Sequence, residues 1–135
     1  MYMSSDFGMT EMDENLLHRG PKFTTEPTDV IYDTDSRLGY VHMECDAAGN
    51  PAPTYQWKVQ RGEVEIFINP LTQTRYTVTN GSLTIHDPED AQDNGNFQCI
   101  AANTYGSVLS NKVQLSFGCV YHYFLSSSLH FYLCH

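Results

Sequence analysis

Three residues, Cys45, Trp57 and Cys99, each sit inside a short stretch that alternates apolar and polar side chains. "YVHMECDA" sets Val41, Met43 and Cys45 on one face, against His42 and Glu44 on the other. "TYQWKV" does the same with Tyr55, Trp57 and Val59 against Gln56 and Lys58, and "NFQCIAA" aligns Phe97, Cys99 and Ala101. Period-two alternation is the signature of a half-buried strand, so all three residues point inward from separate strands. A cysteine, a tryptophan on the next strand and a distant second cysteine form the pattern in which a disulfide joins two packed sheets and the indole lies against it. A bridge between Cys45 and Cys99 closes a long loop and stabilises by roughly 4 kcal/mol in the chain-entropy model. The alternative is a pair of buried free thiols, as in intracellular proteins of the same architecture. The disulfide is the better reading.

The remaining runs agree with an all-β chain. "VIYD", "VEIFI", "RYTVT" and "SLTIH" are short and rich in β-branched and aromatic residues, and "GNPAP" and "NGS" are turn clusters between such runs. Pro27 ahead of "VIYD" is tolerated only at an edge or a bulge. "DPEDAQDNG" cannot be a strand and reads as a surface turn with at most one helical turn. "VLSNKVQLSF" is the closing strand and is expected to end at Phe117–Gly118. The domain therefore spans 21–118, about the size of a two-sheet sandwich. Residues 1–20 read as a linker or the end of an upstream region, with Thr10 and Asp13 placed for a capping turn. Residues 119–135 read as a tail belonging to no domain.

The chain has 135 residues and a formal net charge of −9, with only 7 Lys and Arg against 16 Asp and Glu. Such a balance repels phosphates, so nucleic acid and anionic lipid are excluded as partners, and a protein or a glycan remains. No direct membrane insertion is expected from the domain. No Ser–His–Asp elbow, HExxH or phosphate loop accompanies His18, His42, His86, His122, His130 and His135, and no enzyme activity or cofactor is expected. His42 and His86 fall at outward strand positions. Asp87, Glu89, Asp90 and Asp93 lack the alternating oxygen pattern of a calcium loop. Asn80-Gly81-Ser82 is a glycosylation sequon in a turn. The start, "MYMSSDFGMTEMDENLLHRG", has no basic leader followed by an apolar run, so no signal peptide is read there.

Residues 21–117 resemble an I-set immunoglobulin domain, a Greek-key β-sandwich. "GNPAPTYQWK" and "LTIHDPEDAQDNGNFQCIAANTYGS" carry that match. "GPKF", "VIYD", "PLTQTRYTV" and "TYGSVLSNKVQLSFG" narrow it to the first immunoglobulin domain of contactins, a neural cell-adhesion family. The resemblance implies an extracellular recognition module of a membrane-anchored receptor. Its partners would be cell-surface adhesion proteins in cis or trans, and further immunoglobulin domains of the parent chain, the first packing on the fourth. It also implies a structural ion pair between Arg75 and Asp93. The family's tyrosine two residues before the second cysteine is replaced here by Phe97, which forgoes a corner hydrogen bond of about 1 kcal/mol. The other reading is an intracellular structural module of the muscle-filament type, which uses the same fold with free thiols and no glycan.

The tail "CVYHYFLSSSLHFYLCH" contains no Asp, Glu, Lys or Arg. Cys119, His122, His130, Cys134 and His135 are soft ligands, but at a spacing that matches no zinc finger. Seventeen residues with three Ser and three His are at the short limit for a membrane span. A Cys119–Cys134 bridge is a further option. The reading preferred is a truncation or splicing product that replaces the next module, and an aggregation hazard rather than a site.

Overall fold

A computed structural model describes residues 17–123 and 128–132, with side chains for residues 17–118. The chain runs through β1 (Arg19–Thr25), β2 (Val30–Asp33), β3 (Tyr40–Met43), β4 (Asp46–Asn50), β5 (Thr54–Arg61) and β6 (Val64–Phe67). It continues through β7 (Tyr76–Thr79), β8 (Ser82–His86), α1 (Asp90–Asp93), β9 (Gly95–Asn103), β10 (Gly106–Leu109), β11 (Val113–Tyr123) and β12 (Ser128–Tyr132). One layer is the antiparallel sheet β3–β8–β7. The other is β12–β11–β9–β5–β6, with β10 beside β9 and β2 parallel to β11, while β1 pairs with β4. The chain crosses between the two layers from β2 to β3, from β6 to β7 and from β8 to β9, and enters the larger sheet again at β5, as a Greek-key sandwich requires.

The alternating runs meet in the gap between the layers. Val41, Met43, Cys45, Leu83 and Ile85 come from one side, and Trp57, Val59, Phe97, Cys99, Val113 and Leu115 from the other, all buried. Each large apolar side chain so buried contributes about 1.5–3 kcal/mol. Cys45 and Cys99 are joined by a disulfide with Cα atoms 6.5 Å apart. Trp57 pairs directly with Cys99 across β5 and β9. Its indole N–H donates to the carbonyl oxygen of Gly81 at 2.8 Å, in the turn between β7 and β8. One ring therefore packs beside the disulfide and ties the two layers together by a hydrogen bond.

That turn is built from Asn80 (φ 50°) and Gly81 (φ 95°). Both lie in the left-handed region, where Asn-Gly is the favoured two-residue hairpin pair. Space as well as φ demands the glycine: a Cβ at Gly81 would stand 2.5 Å from the Cys45 carbonyl oxygen and 2.9 Å from the Tyr55 ring.

The closing strand departs from expectation twice. "VLSNKVQLSF" is not one strand but two, because a bulge separates β10 from β11. Leu109 pairs with Ile100 and Val113 with Phe97, so the bulged side spends one residue more than β9 does. Local hydrogen bonds hold the break. Buried Ser110 donates its N–H to the Cys99 carbonyl and accepts the Cys99 N–H on its hydroxyl, both at 2.9 Å. Asn111 N–H donates to Glu26 Oε1 at 2.8 Å. Nor does the strand end at Gly118. β11 runs on to Tyr123 and pairs antiparallel with β12, from Cys119 opposite Tyr132 to Tyr123 opposite Ser128. A run of Val, Tyr and Phe free of charge and proline suits a ladder, so the backbone pairs with its own return. At the other end β1 starts at Arg19. The capping turn at Thr10 and Asp13, and the side chains of Cys119, His122, His130, Cys134 and His135, lie outside what is described.

Gly81→Ala combines a strained φ with a backbone clash beside the disulfide, and is expected to destabilise by about 2–4 kcal/mol. Urea unfolding checks this: the midpoint should fall with the slope unchanged.

Candidate functional site

A buried polar cluster lies at one end of the sandwich, around Asp93, whose exposure is 0%. Its two oxygens accept four hydrogen bonds. Arg75 Nη1 donates to Oδ2 at 2.8 Å and Nη2 to Oδ1 at 2.9 Å, a bidentate fork. The Tyr76 hydroxyl donates to Oδ1 at 2.5 Å, and the Glu89 backbone N–H to Oδ2 at 2.7 Å. The last bond spans one helical turn, so Asp93 also closes α1 on itself. Arg75 Nη1 further donates to the carbonyl oxygens of His86 at 3.1 Å and Asp87 at 3.0 Å, pinning the end of β8.

These contacts set the titration of the cluster. Burial acts to raise the Asp93 pKa, but the hydrogen bonds from Arg75, Tyr76 and Glu89 outweigh it and hold the carboxyl below its ordinary value. Arg75 is raised, chiefly by its bond to Asp93. Tyr76 is pushed up to about 12, first by burial and then by its bond to Asp93. Such a cluster organises a fold rather than a reaction, since every group in it is engaged with another.

The sequence names Arg75 and Asp93 but misses Tyr76 and the Glu89 N–H. A signal for Tyr76 exists in "RYTVT": alternation turns Tyr76 and Val78 inward, and a buried phenol needs a partner. Phe97 is fully buried and has no hydroxyl to offer. At this end of the sandwich the tyrosine hydroxyl comes instead from β7.

The other singled-out residues lie apart from this cluster. Asn80 is exposed at its turn, and the Ser82 hydroxyl accepts the Cys45 N–H at 3.2 Å. His42 Nδ1 lies 3.1 Å from Thr84 Oγ1, and His86 Nε2 lies 3.3 Å from Thr77 Oγ1, both on the outer face of β3–β8–β7. Among the described residues no group of three His, Cys, Asp or Glu could hold a metal ion. No helix among them is long and apolar enough to cross a membrane.

β6 is exposed along its whole length. Among the described residues β6 pairs with β5 alone, from Lys58 opposite Phe67 to Arg61 opposite Val64, and no strand flanks its second side. Val64 is 62% exposed and Phe67 60%, and Leu71 just beyond is 89% exposed. The ion pairs Lys58–Glu65 at 3.2 Å and Lys112–Glu65 at 3.9 Å decorate this face. Exposed pairs of this kind add little stability, about 0–1 kcal/mol. An apolar edge rimmed by charges is what a protein-contact surface looks like.

Comparison with known proteins agrees with the geometry. The profile of the immunoglobulin domain matches residues 20–103. The chain belongs to the immunoglobulin-domain family. Within it the domain is contactin-like: it is 39% identical over 98 residues to contactin-5 of Rattus norvegicus, covering 73% of this chain and 9% of that protein. It is 36% identical over 117 residues to contactin-1 of Homo sapiens, covering 87% of this chain and 11% of that one. The chain thus spans about a tenth of the contactins it matches. Among solved structures, the tandem Ig repeats of Dlar superpose with a TM-score of 0.62 at 25% identity, covering 76% of this chain and 48% of that one.

Asp93→Asn keeps the shape of the immunoglobulin domain's polar end but removes the charge that Arg75 and Tyr76 answer. It is expected to cost about 2–4 kcal/mol. Because the folded pKa of Asp93 lies below its unfolded value, its stabilisation is complete above about pH 4 and is lost as pH falls through the folded value. The variant should therefore show a flatter acid limb than the parent when unfolding is measured from neutral pH downward. Tyr76 acts in the opposite sense, its contribution fading as pH rises from its ordinary 10.0 to about 12.

Proposed function

We propose that this chain is an extracellular recognition module of a contactin-like neural receptor. It binds other adhesion proteins through its sandwich faces and edges and performs no catalysis. The observation that supports this most is the open, apolar β6 edge on a domain whose relatives are contactins. An isolated edge with Val64, Ile66 and Phe67 toward solvent lacks the lysines and prolines that protect edges from pairing, although Glu65 interrupts it. The Cys45–Cys99 bridge belongs with an oxidising compartment, and the exposed sequon at Asn80 with a glycan added there. In the parent receptor the module would meet further immunoglobulin domains as well as cell-surface partners.

Three outcomes are expected. The chain displayed as a multivalent fusion binds cells bearing neural adhesion receptors, and Ile66→Lys with Phe67→Glu abolishes that binding while shifting stability by no more than about 1 kcal/mol. Binding unaffected by the pair of changes would remove β6 from the interface. Protein secreted from animal cells loses mass on treatment with an N-glycosidase, and Asn80→Gln does not. Mass analysis of the native product without reductant finds Cys45 and Cys99 joined; if both are reduced, the muscle-filament type of intracellular module is the correct reading.

A further inference from the structure

Arg61, at the end of β5, is not used by the Asp93 cluster in the way Arg75 is. Its Nε donates to the Asn94 carbonyl at 2.6 Å, and one Nη2 proton reaches the Tyr76 hydroxyl at 3.4 Å. That hydroxyl spends its own proton on Asp93. A guanidinium has five N–H donors, so both protons of Nη1 and one of Nη2 have no partner among the described residues. Neither do they have a carboxylate within ion-pair distance, whereas Arg75, Lys58 and Lys112 each have one. The Glu89 carboxylate accepts from the Gln92 amide at 3.1 Å, and Asp90 from the Asn94 amide at 3.1 Å. The acidic groups of α1 are therefore turned to local partners.

Arg61, Gln73, Thr74, Arg75, Tyr76 and Gln92 line an open hollow at this end of the sandwich. Most of its side-chain oxygens already accept a bond, while several of its N–H donors have no partner among the described residues. Gln73 Oε1 takes the Asn69 N–H at 2.8 Å, which leaves the Gln73 amide protons. Gln92 Oε1 takes Arg75 Nη2 at 3.2 Å. A wall whose unspent groups are the Arg61 N–H donors, the Gln73 amide protons and the Thr74 hydroxyl, which can also donate, complements a group that only accepts, which is a carboxylate. The overall charge of −9 opposes a polyanion. Leu71, two residues before Gln73 on the same loop, is almost wholly exposed and offers apolar surface suited to a protein side chain.

We propose that the hollow beside Arg61 is a carboxylate subsite, receiving an Asp or Glu side chain that an apolar residue flanks on a protein partner. It rests on the reading of this domain as a protein-recognition module and adds the partner's chemistry. The test is a titration of the full isotope-labelled chain with N-acetyl-leucyl-glutamate amide, followed by NMR of backbone, Arg Nε–H and Gln side-chain signals. Saturable shifts are expected at Arg61, Gln73 and Gln92, with no such shifts from the glutamine analogue of the peptide. Arg61→Gln should weaken binding about tenfold or more, and Arg61→Lys, which keeps the charge without the fork, by less. The same spectra report whether each variant is folded. Absence of saturable shifts in the parent chain, equal response to the glutamine peptide, or binding unchanged in a folded Arg61→Gln would each overturn the subsite. Saturable shifts at these residues from sialyllactose but not from the peptide would overturn the protein source. A failed titration leaves the cell-binding result of the β6 edge standing, so the two readings separate.

Discussion

Two twisted sheets stacked roughly 10 Å apart are held together by the side chains that fill and cross the gap between them. Here the Cys45–Cys99 bridge crosses it, and the Trp57 indole reaches from its place opposite Cys99 to the Gly81 carbonyl on the far layer. The rest of the architecture leans on that contact. The Asn80–Gly81 turn must bend tightly because its backbone approaches Cys45 and Tyr55 too closely for any Cβ. Ser82 and Ser110 then serve the backbone N–H groups of the two cysteines, so the strands carrying the bridge keep satisfied donors.

The Asp93 cluster performs the equivalent task at one end of the sandwich by electrostatics. Burying a carboxylate is costly, and the cost is offset only when every lone pair finds a donor. Arg75, Tyr76 and the Glu89 N–H together meet that condition, and in doing so they join β7, β8 and the turn leading into β9. Saturated in this way, the cluster has no capacity left for a ligand. Arg61 sits beside it with donors to spare, so neighbouring guanidinium groups divide into one that holds the fold and one that faces outward.

A domain held by its interior is free to vary its rim, and this one presents an apolar rim along β6 and Leu71. Contact through an edge and a shallow hollow suits recognition of another protein surface and has no need of an enclosed pocket. The domain's membership in the immunoglobulin family and its likeness to contactins fit that geometry.

Much of this was legible in the residues. Alternation placed Val41, Met43, Cys45, Trp57, Val59, Phe97 and Cys99 inward, because a strand with period two lets burial be read directly from spacing. Asn-Gly marked its own turn, since few other pairs accept two left-handed residues. The tertiary structure decided what depends on partners far along the chain. The bulge at Ser110 arises from bonds to Cys99 and Glu26, and the extension of β11 from pairing with β12. Tyr76 and Glu89 became ligands of Asp93 only when three separate segments converged, and the exposure of β6 followed from having no strand on its second side among the described residues. Local patterning determines which face of a strand is buried; which groups meet there is settled by the packing of strands distant in sequence.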